Sequence, residues 1–159
     1  MLYKNIMVAY DGSEPAKEAL VVARNMIGDK ADALMHVVSI IPVGTIGINS
    51  DSTIQPIMNV ADFFPDMDSY EDILSNAKEQ TISNMKDDVI NLLEDAVCQV
   101  HLEAYIATKP AEGICEYAKE HDVDMIVMGR RGLSALRAML GGVSYAVLHE
   151  SEIPVVTVR

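Results

Sequence analysis

Apolar residues along this chain fall into two patterns, short unbroken runs and longer segments in which they recur every three or four positions, and the two patterns alternate. The run at residues 6–10 (Ile-Met-Val-Ala-Tyr) suits a strand buried on both faces. Asp11, Gly12, Ser13, Glu14 and Pro15 then turn the chain: Gly12 permits a sharp bend, Ser13 is a good N-cap, and Pro15 is tolerated in a first helical turn. Beyond them Ala16, Leu20, Ala23 and Ile27 make one stripe, which predicts a helix ended by Gly28 and Asp29. Residues 33–41 predict a second strand. Residues 69–96 predict a long helix whose inner face is Ala77, Thr81, Met85, Val89, Leu92 and Ala96, with charge on its outer face. Residues 100–106 alternate, as in a strand with one partly polar face. Pro110 opens a helix through about residue 121, with Ile114, Tyr117, Ala118 and His121 on one side. A fourth strand at residues 123–128, a helix near 143–149 and a strand at 153–158 complete the pattern. Pro154 argues that the last strand lies at a sheet edge or begins near that residue.

Residues 42–65 break the alternation. They hold three prolines, two glycines and no Lys or Arg, together with Ile46, Ile48, Ile54, Ile57, Met58, Phe63 and Phe64. The segment predicts a long loop too apolar for a free linker, folded over a ligand, a partner subunit or the edge of the core.

Strands alternating with helices imply an α/β fold: a parallel sheet covered on both faces. Ligands of such sheets bind beyond the carboxyl ends of the strands, where strand order reverses. If the first strand neighbours the fourth, Asp11 and the segment after residue 128 face one crevice. No internal repeat is visible. A single domain over residues 1–159, with a long variable loop at about 43–69, is expected from the length.

Composition narrows the function. The 12 basic residues against 24 acidic ones give a net charge of −12, which argues against nucleic acid as a partner, because phosphate-backbone affinity needs clustered Lys and Arg. Cys98 and Cys115 lack metal-type spacing and read as small buried or half-buried thiols. The N-terminus reads as a strand and not as a signal peptide, and the longest apolar stretch is about half the ~20 residues that span a bilayer. A soluble, cytoplasmic protein without membrane contact is expected.

Chemistry concentrates in residues 128–144. Gly129, Gly132, Gly141 and Gly142, with Arg130, Arg131 and Arg137, stand between an apolar strand and a helix. Glycines let backbone N–H groups approach a ligand, and the helix start that follows favours an anion. The bland alternatives are a glycine-rich surface turn and arginines that point to solvent or to another subunit. The P-loop pattern and the dinucleotide GxGxxG are absent, which weakens NAD and FAD. There is no GxSxG elbow, no acidic residue at the end of the third strand for a phosphoacceptor, and no clustering of His36, His101, His121 and His149 along the sequence for a metal. A flavodoxin-like FMN carrier ranks low: the turn after the first strand is not rich in Ser and Thr, and the chain has no Trp.

Taken together, residues 6–13 (Ile-Met-Val-Ala-Tyr-Asp-Gly-Ser), 110–112 (Pro-Ala-Glu), 124–134 (Asp-Met-Ile-Val-Met-Gly-Arg-Arg-Gly-Leu-Ser) and 151–158 (Ser-Glu-Ile-Pro-Val-Val-Thr-Val) resemble the universal stress protein family, over nearly the whole chain except residues 44–69. The resemblance implies a three-layer, doubly wound parallel sheet of the adenine nucleotide alpha hydrolase type with strand order 3-2-1-4-5. It implies an ATP or AMP site on the family pattern Gly-x2-Gly-x9-Gly-[Ser/Thr], bound with Mg²⁺. Ala9 and Asp11 would close the first strand, with Asp11 near the ribose or a phosphate-bound Mg²⁺. Val37 would meet adenine through its backbone, with Met128 flanking the base. Gly129, Arg131 and Gly132 would hold the ribose and phosphate side, while Gly141, Gly142, Val143 and Ser144 would present N–H groups, and Ser144 a hydroxyl, to the phosphates. Gly129 to Gly132 keeps the pattern, but eight residues separate Gly132 from Gly141. Either the loop is one residue short and Gly142 stands where the hydroxyl residue is usual, or Gly142 is the final glycine with Val143 after it. The first alignment is preferred because it keeps Val143 and Ser144 on the family's Val-[Ser/Thr]. Weakened or altered nucleotide binding is therefore expected. No residue stands out as a general base, so hydrolysis is expected to be slow at most. A homodimer through the last strand is implied as well. The competing reading is a nucleotide-free homodimeric regulatory module of the same fold.

Overall fold

The element order of the computed structural model follows the alternation of the sequence. It describes residues 3–45, 67–132 and 142–159. Strand β1 (Asn5–Ala9) leads to helix α1 (Glu14–Ile27), strand β2 (Leu34–Pro42) and a 3₁₀ turn at Val43–Thr45. Helix α2 (Met67–Leu92), strand β3 (Gln99–Ala107), helix α3 (Pro110–Glu120), strand β4 (Met125–Gly129), helix α4 (Gly142–Glu150) and strand β5 (Val155–Val158) follow. The expectation of a long loop covering something falls mostly on residues 46–66, outside the described residues.

The sheet has five strands, all parallel, in the order β3-β2-β1-β4-β5. Strand alternation divides the core into two layers. Ile6, Val8, Met35, Val37, Met125 and Val127 face α1 and α2, whereas Met7, Val38, Ile126 and Met128 face α3 and α4. The predicted α1 stripe of Ala16, Leu20, Ala23 and Ile27 is buried, with Ala19 added. Ser13 caps this helix by accepting the Ala16 N–H at 3.3 Å, and the Gly28 N–H closes it on the Arg24 carbonyl.

The prediction for α2 needs correction at its C-terminal end. The helix stops at Leu92, and Leu93 turns into the core to join Met85 and Val89. Ala77 and Thr81 are only half-buried, because α2 approaches the sheet closely along its C-terminal half. Residues 123–124 and 153–154 are connections and not strand. Pro154 precedes β5, where its missing N–H costs no ladder bond, and its carbonyl accepts from Ile126. β5 is an edge strand, as Pro154 indicated.

Candidate functional site

Chain order reverses between β1 and β4, where α1 leaves for one face of the sheet and α4 lies on the other. Ala9 pairs with Met128, so both strands end at the same level and their two following turns rise side by side. This is the crevice in which open α/β sheets hold ligands.

The turn after β1 is built by Asp11 and Gly12. One Asp11 carboxylate oxygen accepts the Ser13 N–H at 3.0 Å, and Gly12 takes a φ of 80°, the left-handed region that glycine enters without cost. The other oxygen of Asp11 faces the glycine turn. A Cβ on Gly132 would lie 2.5 Å from Asp11 Oδ2, closer than any real contact. A Cβ on Gly129 would lie 2.8 Å from Pro15 Cβ, 3.0 Å from the Pro15 carbonyl carbon and 3.1 Å from the Ala16 nitrogen. Both glycines therefore serve close approach: Gly129 of β4 to the first turn of α1, and Gly132 to the Asp11 carboxylate.

The remaining candidates divide. Ala9 is half-buried at the end of β1, and Met128 is buried beside it in register. Gly142 and Val143 open α4 and are exposed. Arg131 is half-buried next to Gly132. Ser144 is buried, and its hydroxyl donates to the Gly129 carbonyl at 2.9 Å, so its proton ties α4 to the end of β4. Ser144→Ala leaves that carbonyl without the hydroxyl; a cost of about 1–3 kcal/mol is expected, read as a lower urea midpoint at unchanged slope. Val37 is fully buried and paired with Val8 on one side and Leu102 on the other, which sets its backbone inside the sheet. On the same strand the Val38 carbonyl accepts from Tyr10 N–H, and Ile40, two residues along and facing the same edge, lies past the end of β1. Gly141 and Arg137 lie outside the described residues.

Four contributors escape sequence reasoning. Pro15 forms the wall against Gly129, and no spacing announces it. Tyr10, just before Asp11, is buried and donates its hydroxyl to Asp88 of α2 at 2.6 Å, while Lys17 Nζ lies 3.6 Å from the same carboxylate. Burial, then the hydrogen bond and charge of Asp88, push the Tyr10 phenol far above its ordinary range, so it stays neutral. Through Asp88, α2 is tied to the floor of the crevice.

Among the described residues no group of three or more His, Cys, Asp or Glu side chains is placed to hold a metal ion. No described helix is long and apolar enough to cross a membrane.

The model of the universal stress protein family matches residues 2–159. The chain is 32% identical to universal stress protein YxiE of Bacillus subtilis over 99% of its own length and 100% of the relative's. Among solved structures, the hypothetical protein MJ0577 superposes with a TM-score of 0.73 at 25% identity, covering 99% of this chain and 96% of that one. A universal stress protein from Archaeoglobus fulgidus, solved in complex with dAMP, superposes with a TM-score of 0.61 at 22% identity over the whole of both chains.

Proposed function

The chain belongs to the universal stress protein family, and from its crevice we propose that it is an adenine-nucleotide-binding protein of the stress response or of signalling, taking AMP or ATP with Mg²⁺ and hydrolysing slowly or not at all. The observation that carries this reading is the approach of Gly132 to the Asp11 carboxylate, a contact that a side chain at residue 132 would have to displace. Two turns held that close at a strand-order reversal make a cradle for a phosphorylated ligand. That a chain of this fold is seen with dAMP is consistent with it.

In this reading the N–H groups of Gly142, Val143 and Ser144 meet the phosphate at the start of α4, where the helix dipole adds about 0.3–1 kcal/mol per charge. Gly129, Arg131, Gly132 and, beyond the described residues, Gly141 complete the phosphate side. Ala9 and Met128 line the base. The base's polar edge meets the β2 backbone past the end of β1, at Ile40 and not at Val37. Mg²⁺ usually binds through one or two carboxylates plus substrate phosphates, which suits the single carboxylate of Asp11. With the Ser144 hydroxyl bonded to Gly129 and no hydroxyl at Gly142, backbone amides carry the phosphate contact, so affinity is modest.

The second reading, a nucleotide-free homodimeric module, draws on the same two features, the occupied Ser144 hydroxyl and the glycine at residue 142. Equilibrium titration with AMP and with Mg²⁺-ATP separates the two. Saturable binding, with adenylate in the mass spectrum of small molecules released from denatured protein, is expected. No binding at millimolar nucleotide would leave the second reading standing. Assembly as a homodimer through the β5 edge, whose four residues are all half-buried, and a cytoplasmic location belong to the same proposal. Sedimentation showing only monomer would contradict the dimer.

A further inference from the structure

We propose that His36, His101, Tyr117 and His121, clustered between α3 and the β2–β3 half of the sheet, form an acid-sensing latch in which protonation of His36 loosens α3 from the sheet. His36 is 4% exposed, and its Nδ1 lies 2.9 Å from the hydroxyl of Tyr117, which is itself fully buried. This is a buried polar tie between β2 and α3. The other ring nitrogen, Nε2, is buried without a hydrogen-bond partner. The His101 ring stands edge-on at 5.8 Å and the His121 ring at 5.6 Å, and His121 stacks on Tyr117 at 3.9 Å.

Among the described residues no counter-charge is free to meet a protonated His36. From β1 the register partner is Met7, and Asn5, a neutral side chain, donates its Nδ2 to the carbonyls of His121 and Asp122. From β3 come His101, Glu103 and Tyr105. The Glu103 carboxylate is already drawn to His101 at 3.4 Å and to Lys78 at 3.9 Å. From α3 come Tyr117, whose phenol burial and then Glu103 push up to about 12, His121, and Glu120, which accepts the Tyr105 hydroxyl. A second ring proton would place a charge in this site, with the N–H at Nε2 left without an acceptor.

Burial first, then His101 and His121, hold His36 down at about 4, against an ordinary 6.5. The unfolded chain therefore binds more protons than the folded one between those values. The contribution to stability is complete above the ordinary value and is lost as the pH falls through the interval. From pH 7 to pH 5 this group alone lowers the folding equilibrium constant about twentyfold. The latch operates whether or not a nucleotide is bound.

The test is urea unfolding and amide hydrogen exchange of the full chain at pH 7 and pH 5, with His36→Gln beside the parent. Expected are a fall in the parent's folding constant that exceeds the fall in H36Q by about twentyfold, a loss of protection greater in α3 than in α1, and a much weaker pH dependence of both in H36Q. An unchanged pH dependence in H36Q, or protection lost equally from α1 and α3, overturns the proposal. Should H36Q fail to fold, the NMR titration of the parent's histidine rings decides, with signals assigned through H101Q and H121Q. A His36 midpoint below about 5.5 supports the latch, and one above it overturns the proposal.

Discussion

Gly129→Ala will lower the stability of the fold by about 1–3 kcal/mol, with a fall in Tm of several degrees. The new methyl would meet Pro15 and Ala16 at 2.8–3.1 Å, and two of the three atoms it meets belong to the backbone of the first turn of α1. That turn cannot give way by a side-chain rotation. Its φ is set by the proline ring, and its position is held by the Ser13 cap. Relief requires α1 to back away from β4, which also loosens the packing of Ala16 and Ala19. Gly142→Ala is the control: no described residue lies within 4 Å of its Cβ position, and alanine is the better helix former, so its stability should be unchanged or slightly raised. Thermal unfolding of the two variants checks the contrast. Equal midpoints would show that Gly129 is not confined as described.

Gly132→Ala will act on binding and leave stability nearly intact. Among the described residues its methyl would meet only the end of the Asp11 side chain, at 2.5 Å from Oδ2, and that carboxylate can rotate into solvent. Rotation breaks the hydrogen bond from Ser13 N–H and removes the charge proposed to hold the phosphate-bound Mg²⁺. Affinity for Mg²⁺-ATP should fall by about tenfold or more, the scale on which a charge-assisted hydrogen bond is lost. A double-mutant cycle with Asp11→Ala isolates the contact. With the carboxylate gone the methyl has nothing to strike, so the two losses should not add. Additive losses, or an unchanged Kd in Gly132→Ala, would remove the Asp11 contact from the site.

How far the sequence could be read differs between elements for identifiable reasons. Helix α1 was legible at both ends because cap, proline, stripe and closing glycine are local signals within one segment. The α2 end at Leu92 was not, since Ala96 continues the period and only packing turns Leu93 inward. At the crevice, Asp11 and the two glycines could be named from their place after apolar strands. What each glycine touches could not. Ser144 was readable as a hydroxyl at the start of the helix after the glycine segment, yet its proton bonds to a carbonyl 15 residues earlier in the chain. Val37 matched a family position, but strand register places it inside the sheet. The histidines illustrate the same limit: scattered along the sequence, His36, His101 and His121 converge only because β2 pairs with β3 in register and α3 lies over both.

By itself the chain determined the kind and order of its elements, the parallel sheet covered on both faces, and the two turns that meet at the crevice. These follow from periodicity, caps and turns, which act between residues a few positions apart. Tertiary structure alone decided which glycine presses on Pro15 and which on Asp11, which hydroxyl is already spent, and which histidine is denied a counter-charge. Such facts depend on distances between segments remote in the chain, and those distances are set by close packing in three dimensions.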